Sequence, residues 1–241
     1  MNNDIIKEKY GRFFTKEYMM GPSSLRLLDE LLCRCPEACG KGRLLDLGCG
    51  EALSSIFVAG ETEAELVFAT DLWISATDNM KRIVENGLEA RIIPIHADAL
   101  ALPFADDFFD TIVSVDAYHY FGCADGIFAE KILPLVKPGG HILICIPGLH
   151  CEPQGEMKSL MHEWAEDDES MFHTVEWWKE HLEKDCAVKV EIKAYESNCF
   201  DEAWNDWYAT GHEYAERDKE FLCKGLGSVL NFVMLDVKRI G

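Results

Sequence analysis

The fold of this chain is decided by the stretch Leu44-Leu45-Asp46-Leu47-Gly48-Cys49-Gly50. It has the pattern of a buried parallel strand that ends in a glycine turn, with a carboxylate near the end of the strand. Glycines at positions 48 and 50 allow the backbone to turn tightly and to approach a ligand at the carboxyl edge of a sheet. Many nucleotide-binding folds share such a segment, so the elements that follow must decide between them.

Four further segments have the pattern of strands. The second strand, Leu66–Thr70, ends in Asp71, about 20 residues after the turn, where nucleotide-binding folds place an acid for a ribose. Strands and helices alternate from residue 41 to residue 146, which predicts a doubly wound parallel sheet. The other predicted strands are 92–96, followed by Ala97, Asp98 and Ala99; 111–115, followed by Asp116; and 141–146, which comes after the turn 137–140.

This series resembles the class I S-adenosylmethionine-dependent methyltransferases, and most of all the small-molecule branch that includes the ubiquinone- and menaquinone-pathway enzymes. The resemblance implies an α/β fold with a doubly wound, Rossmann-like sheet and helices on both faces. It also implies seven strands in the order 3-2-1-4-5-7-6, with the last strand antiparallel beside the fifth. Four motifs carry it across roughly residues 40–148: LLDLGCG (44–50), ATDLW (69–73), HADALALPFADDFFDTIVS (96–114) and LPLVKPGG (133–140).

The resemblance implies that S-adenosyl-L-methionine binds along the turn after the first strand. Gly48, Cys49 and Gly50 would approach its amino-acid tail, and Asp46 would meet the ammonium of that tail directly or through water. Asp71 would accept both ribose hydroxyls, because an ionised carboxylate has two acceptor oxygens. The spacing by itself shows only that carboxylates lie at strand ends, where they can also be solvated or cap helices.

The remaining cofactor contacts are implied at the next strand ends. Leu72 and Trp73 would form an apolar wall against the adenine, although Trp73 has packing as an equal alternative. Asp98 would accept from the exocyclic amine, and the backbone amide of Ala99 would donate to a ring nitrogen. Asp116, at the end of the fourth strand, completes the predicted set of cofactor-binding residues.

The glycine turn departs from the family pattern at one position. The family's turn often has the form G-x-G-x-G, and Ala52 stands at the third glycine. One methyl group adds little bulk, so we expect binding to be retained with a slightly altered turn. The dinucleotide pattern G-x-G-x-x-G would need glycine where Leu53 stands, so an NAD-dependent oxidoreductase is the weaker enzyme hypothesis. A catalytically silent cofactor-binding or scaffold protein is the other alternative.

The segment after the fourth strand faces the transferred methyl group in the family, which makes Tyr118 and His119 the candidate catalytic residues. Methyl transfer depends mainly on orientation, and a base is needed only for a hydroxyl, an acidic carbon or a protonated amine. A histidine ordinarily titrates near neutral pH, so His119 is expected to act as a base or to orient the acceptor. Tyr118 and Tyr120 could line an aromatic pocket or contact a cation. Packing is the alternative role for all three.

The chain is predicted to be a single methyltransferase domain over residues 1–241. Residues 1–40 are expected to form a helical lid, with one helix over 4–20. The segments 147–173 and 199–225 are expected to cap the substrate side. The other predicted elements are a helix with its apolar stripe at 25–32 that ends near Pro36, a helix at 175–184, a strand at 187–195, a helix at 201–224 and a final strand at 228–237.

The charge of the chain argues against a nucleic-acid partner. The formal net charge is −20, and no cluster of Lys and Arg could form a basic face. Residues 152–220 contain 20 acids and 7 bases, which could attract an amine or could form a solvated surface. A small-molecule substrate is therefore the expected partner; the sequence does not indicate an oligomeric state.

No apolar run of 18 residues predicts a membrane span, and the polar start of the chain is unlike a secretory signal, so the expected location is cytoplasmic. In that compartment most of the 10 cysteines are expected to be reduced thiols. Cys33, Cys35 and Cys39 have a spacing that could hold a soft metal. They lack a fourth ligand at matching spacing, so no metal site is predicted.

Overall fold

Seven strands form one sheet in a computed structural model that describes residues 3–186 and 189–241. The order is β3-β2-β1-β4-β5-β7-β6; β1 to β5 pair in parallel, and β7 runs antiparallel to both β5 and β6. The predicted order and the antiparallel last strand are confirmed. The strands are β1 Arg43–Leu47, β2 Leu66–Asp71, β3 Ile92–His96, β4 Phe109–Val115, β5 Val136–Leu149, β6 Val190–Glu196 and β7 Leu230–Arg239.

Helices cover both faces of the sheet and bury two apolar cores. Successive residues of a strand point to opposite faces. Leu44 accordingly packs with α2 and α3, whereas Leu45 belongs to the core that contains Trp178 of α7. Because both faces are covered, the central strands are continuous apolar runs. The helices are α1 Asn3–Tyr10, α2 Ser24–Arg34, α3 Leu53–Glu61, α4 Ala76–Glu85, α5 His119–Gly122, α6 Glu156–Ala165, α7 Val175–Cys186, α8 Phe200–Tyr208 and α9 Glu213–Cys223.

The prediction of one helix over residues 4–20 is wrong beyond Tyr10. A 3-10 turn follows at Gly11–Phe13, and residues 14–23 are turns and irregular backbone. Tyr10 packs against Phe57 of α3 with ring centres 5.0 Å apart, and its hydroxyl donates to Glu61 at 2.5 Å. The helical spacing of the aromatic residues therefore reflects packing of a short helix and a turn against α3.

Two other predicted elements also have different limits. The helix predicted at 201–224 is two helices, α8 and α9, because Gly211 lies between them with φ +66°. β5 already begins at Val136 and includes the predicted turn 137–140, with a register shift where it pairs with β4. Of the strand predicted at 187–195, Ala187 and Val188 lie outside the described residues. Among the described residues, no helix is long and apolar enough to cross a membrane.

Candidate active site

A cavity of about 260 Å³ opens at the carboxyl edge of the sheet. Four strand ends contribute to it, as expected for a ligand site in an open α/β sheet. The segment Tyr18–Pro22, which precedes α2, forms a further wall. Nine of the predicted cofactor-binding residues line this cavity: Gly48, Cys49, Gly50, Asp71, Leu72, Trp73, Asp98, Ala99 and Asp116.

The turn after β1 is held against β2 by its backbone. The amides of Gly48 and Cys49 both donate to the carbonyl of Thr70, at 2.9 and 3.0 Å. Gly48 has φ +77°, and a Cβ at this position would overlap the methyl group of Ala117. Glycine is thus required at position 48 both for its conformation and for the close approach of the two loops.

Asp71 organises the wall between the first two strand ends. Its Oδ2 accepts from the amide of Gly50 at 2.8 Å, and its Oδ1 accepts from the amides of Trp73 and Ile74 at 2.7 and 2.8 Å. One carboxylate therefore joins the glycine turn to the loop that follows β2. Two carboxylate oxygens offer about four acceptor positions, so these three bonds leave capacity for a ligand hydroxyl.

Asp46 does not line the cavity but lies directly behind it. The carboxylate is fully buried, and its Oδ2 accepts from the hydroxyls of Ser54 and Ser55 at 2.6 and 2.5 Å. Oδ1 has no hydrogen-bond partner within the part of the chain that the structure describes. Burial raises the pKa of Asp46 to about 6 despite these two hydrogen bonds. Ser54 itself lines the cavity, so its hydrogen bond links Asp46 to the cavity wall.

The wall after β2 is apolar and unusually exposed. Leu72 is 53% exposed and Trp73 is 62% exposed, and both line the cavity. The ring of Trp73 lies 5.0 Å from that of Tyr120, which is also exposed to the cavity. Asp98, on the next strand end, accepts from the amide of Leu100 at 2.8 Å, which fixes the direction of its carboxylate. Large exposed apolar side chains beside a cavity are the surface that a planar ligand would cover.

Tyr118 and His119, the predicted catalytic pair, are not among the residues that line the cavity. Tyr118 is fully buried in the core and packs against Trp178 and Phe121, with ring centres 5.8 and 5.2 Å away. Burial lowers the pKa of His119 to about 3, so the ring is neutral at neutral pH and a weak base. Successive side chains of a helical turn point in different directions, and here Tyr120 faces the cavity instead.

A row of aromatic rings leads from the cavity to the C-terminal helices. His119 lies 4.1 Å from Tyr120 and 6.3 Å from Phe172, and Phe172 lies 5.3 Å from Trp164 of α6. Trp164 in turn lies 6.5 Å from Trp204 of α8. Both predicted capping segments, 147–173 and 199–225, thus contribute rings to a layer that begins at the cavity.

The cavity lining is acidic. Four carboxylates line it, and no Lys, Arg or His side chain does so in the described residues. Only Glu51 among these acids has a cationic partner, Arg82. Asp71, Asp98 and Asp116 have no ion pair with a described residue. This field favours a ligand with positive charge.

The three cysteines singled out in the sequence are not brought together as ligands. Cys33 is exposed and Cys39 is partly exposed, whereas Cys35 is buried beside His141 and Asp236. The donor atoms of these last three residues lie within 4.8 Å of one another. The spacing of the cysteines could not reveal this group, because two members come from distant strands. Structural zinc sites use four protein ligands, so three donors do not complete one.

Comparison with known proteins agrees with the geometry of the site. Residues 44–140 match a family model described as a methyltransferase domain. Residues 44–140 are therefore similar to a methyltransferase domain. This matched region contains the glycine turn, Asp71, Asp98 and Asp116.

Individual relatives match this chain over only part of their own length. Methyltransferase GfsG of Streptomyces halstedii is 27% identical over 150 residues, which are 59% of this chain and 53% of that protein. A demethylmenaquinone methyltransferase of Clavibacter sepedonicus is 32% identical over 109 residues, 43% of this chain and 40% of that protein. The chain thus spans about half the length, or less, of these curated relatives.

A solved structure extends the similarity of fold to the whole chain. The S-adenosylmethionine-dependent methyltransferase of Geobacter sulfurreducens, in complex with S-adenosyl-L-homocysteine, gives a TM-score of 0.63 at 19% identity. The match covers 99% of this chain and 98% of that one. The two proteins therefore share the fold, including the elements outside residues 44–140.

Sequence reasoning missed the wall formed by Met19, Met20 and Gly21. The helix predicted over 4–20 ends with Met19 and Met20, and Gly21 follows it, yet all three residues line the cavity. The Gly21-Pro22 pair was the available signal, since such a pair marks a loop. The sequence does not show that this loop folds over the strand ends.

Proposed function

We propose that this protein transfers the methyl group of S-adenosyl-L-methionine to a small-molecule acceptor bound in the same cavity. The observation that carries the proposal is the convergence of four strand-end motifs on one acidic cavity. When bound, the cofactor supplies an electrophilic methyl group on a positively charged sulfur. The task left to the chain is to bind, orient and exclude water.

The residues of the turn after β1 fit the amino-acid tail of this cofactor. Gly48, Cys49 and Gly50 bring backbone to the cavity without large side chains. Asp46 has one buried carboxylate oxygen without a described partner, and Ser54 lies between it and the cavity. A buried acceptor without a partner is costly, so an ammonium or a water near Ser54 would relieve this cost.

The next two strand ends fit the adenosine. Asp71 is held at the cavity by three backbone amides and has acceptor capacity left for the ribose hydroxyls. Leu72 and Trp73 provide the exposed apolar wall for the adenine ring. Asp98 and the amide of Ala99 lie at the same end of the cavity lining and would contact its polar edge.

We also propose a domain organisation that this placement supports. We treat residues 1–241 as one methyltransferase domain in which the N-terminal 40 residues form the lid. Within this lid, Tyr18–Pro22 lines the cavity, whereas α1 packs against α3. The segments 147–173 and 199–225 cap the acceptor side through the aromatic row. Such covers exclude water from the reaction.

The test is calorimetric titration with S-adenosyl-L-methionine, S-adenosyl-L-homocysteine and NAD. We expect micromolar binding of both sulfur compounds and no binding of NAD. Asp71→Ala should weaken the binding of both at least about 100-fold, because hydrogen bonds to a charged group each contribute about 1.5–3 kcal/mol. Asp125→Ala, at an exposed acid paired with Lys184, is the control and should bind normally.

Formation of S-adenosyl-L-homocysteine in an acceptor screen then measures the activity. Binding of NAD in preference to the sulfur compounds would support an oxidoreductase instead. Absence of binding to either sulfur compound by the folded protein would rule out the proposed function.

A further inference from the structure

Asp116 is held at the cavity in a conformation that aspartate rarely adopts. It has φ +56°, and its amide donates to the carbonyl of Cys145 on β5 at 2.8 Å. Residues other than glycine are uncommon in this left-handed region, which carries a cost of roughly 1–3 kcal/mol. The strained backbone places the side chain in the cavity lining directly after β4.

The carboxylate of Asp116 has no hydrogen bond and no ion pair with any described residue. The amide of the residue is bonded, whereas its two side-chain oxygens are not. Gly21 leaves room for them, because a Cβ at position 21 would lie 2.7 Å from Oδ2. A carboxylate without a partner in a confined site is unfavourable unless a ligand provides the partner.

The groups around Asp116 are acids and aromatic rings. Asp218 faces it and accepts hydrogen bonds from the indoles of Trp164 and Trp207 at 2.8 and 2.9 Å. Burial, followed by the charges of Asp116 and Asp168, raises the pKa of Tyr120. Burial, followed by the charge of Asp218, raises the pKa of Asp116 to about 7. An acid with this pKa exchanges a proton readily at neutral pH.

These surroundings discriminate between classes of acceptor. A phosphate or carboxylate group would meet several acids and no cationic side chain among the cavity residues. A neutral hydroxyl would leave the charge of Asp116 uncompensated. An ammonium group would pair with Asp116, and its alkyl substituents would lie against the exposed ring of Tyr120.

We propose that the acceptor is a small molecule with a primary or secondary amine and that Asp116 binds this amine and takes its proton. This proposal rests on the proposed methyl transfer. The N–H bond of the ammonium breaks, its electron pair stays on nitrogen, and the proton passes to Asp116. The nitrogen pair forms the new N–C bond while the C–S pair returns to sulfur, which leaves a methylated ammonium and a neutral thioether. Asp116 then releases its proton to solvent.

The test compares three probes of similar shape: benzylamine, benzyl alcohol and benzoate. Their affinities are measured by ligand-observed NMR titration of the protein saturated with S-adenosyl-L-homocysteine. We expect benzylamine to bind at least about tenfold more tightly than either other probe, as for a hydrogen-bonded charge pair. Asp116→Asn should reduce this preference to less than about threefold. Asparagine tolerates positive φ, so the variant keeps the backbone.

Asp107→Asn is the matched control. Asp107 also has a positive φ, of +55°, but it lies before β4 at the opposite end of that strand and pairs with Arg239. The control should keep the preference for benzylamine. Asp116→Asn should also bind S-adenosyl-L-homocysteine within about threefold of the wild type.

The outcomes separate this inference from the proposed function. Failure of the wild type to bind S-adenosyl-L-homocysteine would contradict the function itself. With that binding intact, three results would overturn the inference: equal affinity for benzyl alcohol or benzoate, no binding of any probe, or an unchanged preference in Asp116→Asn. A large loss of S-adenosyl-L-homocysteine affinity in this variant would assign Asp116 to the cofactor and would overturn it as well.

Discussion

Aspartates of this protein lie in two opposite environments. Asp116 lines the cavity and Asp46 lies behind it. Neither has a cationic partner among the described residues, and burial raises the pKa of Asp46 to about 6 and that of Asp116 to about 7. Elsewhere in the fold, Asp206 pairs with Arg26 and Lys7, and Asp236 pairs with Lys193 and accepts from His141 at 2.9 Å. Each of the four is at least partly buried, so the difference lies in the partners.

The pKa of Asp236 shows what a partner changes. Burial alone would raise it, but the hydrogen bond from His141 and the charge of this ring bring it below the ordinary value. Buried charges are normally paired in this way, because an unpaired one is unfavourable. Asp46 and Asp116 are exceptions, and a positively charged ligand would provide the partner that they lack. Among these four aspartates, the two without a cationic partner belong to the site and the two with one belong to the scaffold.

Removing a partner from the scaffold should have the largest effect on stability. Arg26→Ala leaves the carboxylate of Asp206 buried, with only the exposed Lys7 beside it. We expect the free energy of unfolding in urea to fall by about 3–5 kcal/mol. The double variant Arg26→Met/Asp206→Leu, which removes both charges, should recover most of this loss. If Arg26→Ala is as stable as the wild type, the distinction between paired and unpaired aspartates does not hold.

Removing the charge of Asp46, behind the cavity, should change the free energy of unfolding in the opposite direction and by a smaller amount. The folded-state pKa of Asp46 is about 6, above the unfolded value of about 3.9, so the folded state binds this proton more tightly. Its contribution to stability is therefore present below pH 4 and is lost as pH rises to about 6. Asp46→Asn should remove this dependence and raise the free energy of unfolding at pH 7 by about 1–2 kcal/mol.

Asp236→Asn is the matched control, with the same chemical change at a paired acid. The pKa of Asp236 is lowered in the folded state, so its contribution is present above pH 4 and is lost as pH falls through the folded-state value. This variant should lower the free energy of unfolding at pH 7 by about 3 kcal/mol. Urea titrations from pH 3 to pH 8 measure both variants. If Asp46→Asn and Asp236→Asn change the free energy of unfolding at pH 7 in the same direction, the comparison is contradicted.

The smallest effect is expected at the turn that supports the cavity. Ala52 adopts φ +60° at the start of α3, a conformation that costs alanine about 1–2 kcal/mol. Ala52→Gly removes this cost but adds about 0.5–1 kcal/mol of unfolded-state entropy. We expect the free energy of unfolding to rise by about 0.5 kcal/mol. The affinity for S-adenosyl-L-methionine should stay within about twofold of the wild-type value.

Gly48→Ala is the opposite change in the same turn. Because a Cβ there meets Ala117, it should lower both the stability and the affinity for S-adenosyl-L-methionine. An increase in stability from Gly48→Ala, measured in urea, would show that the turn is not constrained as the structure indicates.

The sequence predicted the sheet well because the signals of parallel strands are local. β2 and β3 lie within one residue of their predicted limits, since each is a short apolar run bounded by turn residues or acids. Predictions were wrong where periodicity continued through a glycine. Gly11 and Gly211 lie where a helix was expected to continue, and the aromatic spacing on either side reflects contacts with other elements.

The candidate site was predicted in part for the same reason. The carboxyl ends of parallel strands meet at one edge, so acids in or directly after the last residues of β1, β2, β3 and β4 come together wherever the strand order holds. The aromatic residue that faces the cavity after β4 could not be chosen in this way. Tyr118, His119 and Tyr120 are consecutive, and which of them faces the cavity depends on how the short helix α5 lies on the sheet.

The family motifs implied the strand order, and local signals predicted the glycine turn with its set of strand-end acids, because each of those signals lies within a short segment of the chain. Which acids are paired became known from the three-dimensional structure alone. Arg26 and Asp206 are 180 residues apart, and His141 and Asp236 are 95 residues apart. Ion pairs form between side chains that folding brings within a few ångströms, and local periodicity contains no information about such distant partners.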